Sequence, residues 1–490
     1  MIEDQYRNVR WSYASTFSTA VMQLIASATI TRFLQPRDYG LAAMAMLSYS
    51  LASYLTQLGM DRAVVQKRDL SEGNIRAAFT MCLSTGFGGF VALALLSPLL
   101  ALYFHESRLP PVIIAFGLNL VFNSASNVAR GLLRRSFKIR ELAICDFLAY
   151  ALSTFGVGLT MAIKGYGVWA LVGSNVSQPF ISMVLYYAMQ PHSLLPTFRR
   201  EDYKAISSFG GKASLTTAIE AIGGSVDTIV LGRTVSPSTL GLYNRSLMLS
   251  TLPSLNLSNG LTRVFYPALA RASERSLEEC KKMLLQSQRL LLALIVPMCV
   301  GAAAAAPTII PVIFGRQWVF AVPTYQVLCL VAFVDATFHL PSIQLEIRNE
   351  FKHKIALQAG FAVTFGVAVA MLSRYGITQV AMAYCALQLL RTCGLHVLSA
   401  RSLHVAVRTL FAAWIPGAVC ALAICVPIWG IQSVHAGWLS QHAVARLFLL
   451  IVVSAAGMVL FYRAMFNKQI YQPWRGMFVH KEREAIPAVS

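Results

Sequence analysis

Long apolar stretches separated by short basic linkers recur along the whole chain, and their length sets the fold class. A bilayer-spanning helix needs about 20 apolar residues. Stretches of that kind lie near 11–34, 38–60, 77–103, 110–133, 142–163, 166–189, 208–232, 239–263, 284–306, 321–345, 355–373, 376–399, 409–430 and 443–465. The expected fold is therefore an all-α integral membrane protein with 14 transmembrane helices.

The linkers orient these helices. Those after even-numbered helices are strongly basic, with Arg62, Lys67, Arg68 and Arg76 after the second and Arg130, Arg134, Arg135, Lys138 and Arg140 around the end of the fourth. The tail carries Arg463, Lys468, Arg475, Lys481 and Arg483, whereas linkers after odd-numbered helices hold little beyond residues such as Arg108, Lys164, Arg316 and Arg374. The positive-inside rule then places both termini in the cytoplasm. Composition agrees with a membrane protein: 56% of residues are hydrophobic and 13% charged. The net charge of +20 is spread over these topology-setting clusters, which meet anionic lipid headgroups, so no nucleic-acid partner is expected. Nine cysteines without a CxxC pair give neither a disulfide framework nor a metal site, and no cofactor is implied. The first span lacks a compact apolar core ending in a cleavage site and is expected to stay in the membrane.

The chain repeats itself. Shifted back 201 positions, Arg233, Pro237, Gly241, Leu242, Leu252, Ser254, Gly260 and Arg263 fall on Arg32, Pro36, Gly40, Leu41, Leu51, Ser53, Gly59 and Arg62. At a shift of 214, Arg348, Phe351 and Lys352 fall on Arg134, Phe137 and Lys138, so an insertion near 267–283 separates the matching blocks. With Arg271, Glu274, Arg275, Glu278, Glu279, Lys281 and Lys282, that insertion is expected to be an amphipathic helix on the cytoplasmic surface. Repeats an even number of helices apart share one orientation, which predicts two parallel-repeat six-helix bundles facing each other. The boundaries follow: an N-terminal lobe over 1–194, a cytoplasmic linker at 195–207, a C-terminal lobe over 208–402, and two added helices with a tail over 403–490.

Polar residues inside apolar helices are costly, and several fall on single faces. Helix one carries Ser12, Thr16, Thr19, Gln23, Ser27 and Thr31, a stripe that fits helix packing as well as it fits a cavity wall. Helix four carries Asn119, Asn123, Asn127, Arg130 and Arg134, whose amides need partners or water. Helix seven holds Glu220 and Asp227, and helix eight sets Arg245, Asn256, Asn259 and Arg263 on one face. Helix ten has Asp335, His339, Ser342 and Glu346; because His339 precedes Pro341, the stripe serves either a gate or a kinked backbone.

In order along the chain, Pro36-Arg37-Asp38-Tyr39-Gly40-Leu41, its echo at Pro237 to Leu242, Arg134-Arg135-Ser136-Phe137-Lys138 and Phe314-Gly315-Arg316-Gln317-Trp318 carry a family likeness. The chain resembles, over about residues 5–465, the polysaccharide transporter family of the MATE-like flippase superfamily. The resemblance implies a flippase, not an enzyme. It would move a polyprenyl-pyrophosphate-linked oligosaccharide across the bacterial inner membrane by alternating access, for exopolysaccharide or lipopolysaccharide synthesis, beside a polysaccharide polymerase and export machinery. A cation-coupled multidrug antiporter of the same fold is the main alternative, although helix one has no acidic residue for ion coupling. A glycosyltransferase or polymerase would need larger loops than these. For such a substrate, Arg245, Asn119, Asn123, Asn127, Arg130, Asn256 and Asn259 are the expected binding residues, and Asp227, Glu220, Asp335 and His339 the gating or coupling residues. Asp227 and Arg245 each lie nine positions from the turn at Ser236, hence at nearly equal depth, and are expected to pair, either until pyrophosphate displaces the carboxylate or as a purely structural ion pair.

Overall fold

The computed structural model describes residue 18 and residues 21–56, 70–197, 223–348, 350–433 and 442–465, without the side chains of 55, 253, 255–264, 351, 464 and 465. Among these the regular structure is helical: α1 (Val21–Ile30), α2 (Pro36–Thr56), α3 (Glu72–Phe104), α4 (Leu109–Arg135), α5 (Ile139–Ile163), α6 (Val168–Met189) and α7 (Val226–Thr234) in the first part. Then come α8 (Pro237–Arg275), α9 (Leu277–Ile313), α10 (Val322–Ile347), α11 (Phe351–Leu372), α12 (Ile377–Ser402), α13 (Val407–Ser433) and α14 (Ala443–Met465). Ten helices among the described residues are long and apolar enough to cross a membrane; α2 and α8 fall outside that set because polar residues interrupt them, and they pack along each other.

Local chemistry starts and bends the helices. Ser71 and Asn74 form a reciprocal capping box at the start of α3, and Ser236 caps α8 while Pro237 supplies its first turn. Within α5 the hydrogen-bond ladder widens to a π segment at Leu152–Leu159, which includes Gly156 and Gly158.

The helix expected to lie flat near 267–283 is not there. Instead α8 and α9 run on to Arg275 and from Leu277, broken only at Ser276, whose backbone is extended and whose hydroxyl accepts from the Glu279 N–H at 3.1 Å. Phe265 and Leu269 on one arm, and Cys280 and Leu284 on the other, sit in one buried cluster with Ala336, Leu340 and Ala400. Apolar residues four apart give each arm a buried face, so the charged segment folds as the tip of a helical hairpin. At about 1.5 Å per residue, the 39 residues of α8 span roughly 58 Å, far more than the ~30 Å hydrocarbon layer.

The last two helices dock on α9. Gly417 of α13 lies so close that an added Cβ would meet the Leu292 carbonyl oxygen at 2.6 Å, Gln432 donates to the Ala304 carbonyl at 2.8 Å, and the Tyr462 hydroxyl of α14 donates to the Ala293 carbonyl.

Among the described glycines, the tightest approach is between the turns that open α2 and α8. A Cβ on Gly40 would stand 1.8 Å from the Pro237 carbonyl oxygen, and one on Gly241 would stand 1.9 Å from the Pro36 carbonyl oxygen. Only hydrogen fits there, so these two glycines let the backbones touch. Around this contact, Arg32 donates to the Val312 carbonyl at 2.6 Å, Trp318 donates to the Thr31 carbonyl at 3.2 Å, and Arg233 lies over the Tyr103 ring at 4.9 Å. The largest buried apolar cluster surrounds them, including Leu34, Met44, Phe104, Leu240, Tyr243 and Phe314.

Candidate functional site

Just below that contact, α8 turns Arg245 onto α2. Its guanidinium carbon lies 3.8 Å from the centre of the Tyr39 ring, and Nη1 donates to the Met248 sulfur at 3.0 Å. Its Nε is buried with no hydrogen-bond partner, and among the described residues no carboxylate pairs with it. A ring face and a thioether stabilise a cation without satisfying its fork of donors. The site can therefore accept an anion from outside the protein.

The expected pair of Asp227 with Arg245 does not form. Asp227, only 4% exposed, accepts from the Tyr243 hydroxyl at 3.0 Å and from the Thr228 N–H at 2.6 Å. Spacing from the turn bears on depth, and depth alone does not set facing. Residues 243 and 245 are two apart, hence about 200° apart around the helix; Tyr243 faces α7 and Arg245 consequently faces α2. Asp227 anchors α7 to α8. Tyr243→Phe should leave that buried carboxylate short of one donor and lower stability by about 1–3 kcal/mol, read as a fall in the melting temperature of the purified protein.

On α4, Asn123 donates to the Tyr49 hydroxyl of α2 at 3.1 Å and to the Asn119 carbonyl at 2.9 Å. Asn119 is 4% exposed with its side-chain oxygen unpartnered; Asn127 and Arg130 are half-buried, and Arg130 Nε is likewise unpartnered. Asn119 and Asn123 thus line the α2 side of α4. Of the stripe on α1, Ser27 and Thr31 are buried and Thr31 donates to the Ser27 carbonyl, so this end serves packing. Ser12, Thr16, Thr19 and Glu220 lie outside the described residues, as do the side chains of Asn256, Asn259 and Arg263.

On α10, Asp335 and His339 form a pair at 3.6 Å with side chains 36% and 35% exposed. Three residues that the sequence reading missed complete this group. Arg391 of α12 lies 3.1 Å from Asp335 and donates to Gln358 of α11 at 2.8 Å, while Gln388 donates to Asp335 at 2.6 Å. Arg391 is sandwiched by Phe338 and Phe361, with centroids at 4.1 and 4.5 Å. Part of the signal was available: Gln388, Thr392, His396, Ser399 and Ser402 follow steps of three or four within an apolar helix, with Arg391 next to Thr392. Glu346, the last residue of the expected stripe, pairs with Lys354 instead.

A bundle of apolar helices, ten of them among the described residues long and apolar enough to cross a membrane, defines a multi-pass membrane protein. Comparison with solved structures shows the MATE-like transporter fold. The lipid II flippase MurJ in an inward closed conformation superposes with a TM-score of 0.70 at 12% identity, covering 94% of this chain and 100% of that one. An inward-facing multidrug resistance MATE family transporter gives 0.59 at 14% identity, covering 80% and 98%. The chain belongs to the family described as polysaccharide biosynthesis protein, which it matches over residues 29–323. Relatives include the teichuronic acid biosynthesis protein TuaB of Bacillus subtilis (22% identity, 66% of this chain and 67% of the relative) and the lipopolysaccharide biosynthesis protein WzxC of Escherichia coli (20%, 67% and 67%). The succinoglycan biosynthesis transport protein ExoT of Rhizobium meliloti is 21% identical over 66% of this chain and 65% of its own length.

Proposed function

We propose that this protein flips a polyprenyl-pyrophosphate-linked oligosaccharide across the bacterial inner membrane. Two six-helix lobes, 1–194 and 208–402, rock about the α2–α8 seam, with helices thirteen and fourteen as an appendage and both termini in the cytoplasm. The observation that carries the reading is Arg245: a guanidinium at the seam, held on Tyr39, with a buried Nε unpartnered and no described carboxylate beside it. Pyrophosphate supplies several anionic acceptors that match its fork. Asn119, Asn123, Asn127 and Arg130 then meet the glycan from α4, with Asn256 and Asn259 opposite them, and Asp335 and His339 gate or couple the movement. The paired glycines at matching repeat positions, each against the other turn's proline carbonyl, support the duplicated two-lobe scaffold. The positive-inside rule puts that contact on the outer side, which supports reading this conformation as closed to the outside. The names of the relatives and the MurJ fold support the substrate class; a polysaccharide polymerase and export machinery are the partners this role calls for.

Ligand class separates this reading from drug antiport. A ligand bound only by the folded state raises stability by RT ln(1 + [L]/Kd), about 2.7 kcal/mol at a hundredfold excess over Kd. A polyprenyl-pyrophosphate glycan should raise the melting temperature by several degrees, whereas organic cations should not. Stabilisation by cations alone would favour the antiporter.

A further inference from the structure

Polar groups midway across a bilayer lie inside protein or line water, because lipid satisfies none of their hydrogen bonds. Asp335 of α10, Phe361 of α11 and Arg391 of α12 each stand near the middle of a helix long enough to span. Around Asp335 the helix α10 is closed, with Val334, Ala336, Thr337 and Leu340 buried. Yet the side chains of Asp335 and His339 are 36% and 35% exposed, and Phe338 is partly open beside them. Both α10 and α11 pack along α12 but barely touch each other. The open side chains therefore line a pocket between α10 and α11, with α12 as its floor.

The pocket offers hydrogen bonds that the protein leaves unused. Asp335 Oδ1 accepts from Gln388 at 2.6 Å and from Arg391 at 3.1 Å, but Oδ2 has only His339 Nε2 at 3.6 Å, beyond hydrogen-bond length. Gln358 Oε1 accepts from Arg391 at 2.8 Å, while its own amide donates to no described residue. Gln388 Oε1 and Arg391 Nε are buried without partners. Buried polar groups in native proteins are almost all paired, so this group calls for an occupant that both donates and accepts.

Charge narrows the choice. Asp335 and Arg391 are in contact, so an anionic guest would meet the carboxylate and a cationic one the guanidinium. An uncharged guest rich in hydroxyls fits, since each hydroxyl both donates and accepts. The walls supply the rest of the match. Arg391 lies between the Phe338 and Phe361 rings, at 4.1 and 4.5 Å from their centres, and the half-buried Tyr384 ring stands 6.2 Å from that of Phe361. The C–H bonds on one side of a pyranose present slight positive charge, which complements the negative face of an aromatic ring.

We propose that this pocket binds one uncharged sugar ring of the lipid-linked glycan. Asp335 Oδ2 and the Gln358 amide take its hydroxyls, and the Phe338 and Phe361 rings flank its C–H face. The assignment rests on the flippase reading and gives the same substrate a second contact, on helices other than those that hold Arg245. It also gives His339 a part, because a sugar hydroxyl donating to Oδ2 takes the place of the imidazole and frees it when the pocket fills.

The test uses the full chain in lipid nanodiscs, free of sugar-based detergent. The probes are bare polyprenyl pyrophosphate and the same lipid carrying glucose, galactose or N-acetylglucosamine, with Kd read from the ligand-dependent rise in melting temperature. At least one glycosylated lipid should bind about tenfold more tightly than the bare lipid, as one or two hydrogen bonds to charged groups provide. Asp335→Asn and Gln358→Met should each bring that ratio close to one, whereas Arg245→Ala should weaken all the lipids and leave the ratio unchanged. Gln358→Met keeps the Asp335 contact with Arg391, so it serves as the test should Asp335→Asn fail to fold. A merely structural role would weaken bare and glycosylated lipid alike. That result, a wild-type ratio near one for all three sugars, or a ratio that survives Gln358→Met overturns the sugar subsite while the flippase reading stands. Binding of none of the lipids overturns both.

Discussion

Replacing Arg245 with alanine is expected to cut flipping roughly 10- to 100-fold while leaving the protein folded. Hydrogen bonds to a charged group contribute about 1.5–3 kcal/mol each, and a factor of ten in rate or affinity is about 1.4 kcal/mol. The fold should tolerate the loss because Arg245 has no described carboxylate to leave unpaired; it contacts a ring and a sulfur. Arg245→Lys keeps the charge but loses the planar fork and its stacking on Tyr39, so an intermediate defect is expected. Asp227→Asn distinguishes this account from a competing ion pair. Since Asp227 bonds to Tyr243 and Thr228, its neutralisation should change flipping far less than Arg245→Ala does. Equal losses from the two variants, measured as initial flipping rates at matched protein density, would restore the pair and remove the capture role.

Adding one methyl group to each of Gly40 and Gly241 should have the largest structural effect of any conservative change. The new Cβ atoms would stand 1.8 and 1.9 Å from carbonyl oxygens of the opposing turns, and backbone cannot rotate away as a side chain does. The two turns must separate by well over an ångström to reach ordinary contact. Overpacking costs typically about 1–3 kcal/mol per site, so the double alanine variant should melt several degrees lower. It should also lose the closed outer contact. Spin labels at Lys164 and Arg374, on expected outer loops of the two lobes, should show a longer distance than in the parent, and flipping should fall at least roughly tenfold. Parental label distances together with normal flipping would mean that the seam does not move during transport.

Helix positions were legible because a bilayer imposes one length on every span: the stretch near 110–133 is α4 at Leu109–Arg135, and that near 376–399 is α12 at Ile377–Ser402. Helix ends outside the bilayer lack that constraint. The charged run around Arg271 and Lys282 therefore looked like a separate surface helix, although the apolar residues Phe265, Leu269, Cys280 and Leu284 were already spaced to close a hairpin. At the candidate site, counting from Ser236 gave depth but not azimuth. Azimuth depends on which neighbour each face meets, and nothing in the sequence showed that Tyr243 would take the face towards Asp227. Tyr39 lay in a motif that read as a turn, so its place beneath a guanidinium was not visible. Arg391 was missed for a different reason: a lone arginine in an apolar helix gains meaning only once Asp335 on another helix is seen beside it.

Flipping itself is the most direct test of the account. Proteoliposomes carrying a defined polyprenyl-pyrophosphate oligosaccharide in both leaflets, with a membrane-impermeant lectin or glycosidase added outside, report the fraction of glycan exposed with time. With this protein the inner-leaflet pool should become accessible within minutes, the Arg245→Ala variant should lag far behind, and the same lipid lacking its pyrophosphate should not move faster than in empty vesicles. Access no faster than in protein-free vesicles, or equally fast for lipid with and without pyrophosphate, would contradict capture of a lipid-linked sugar at this seam.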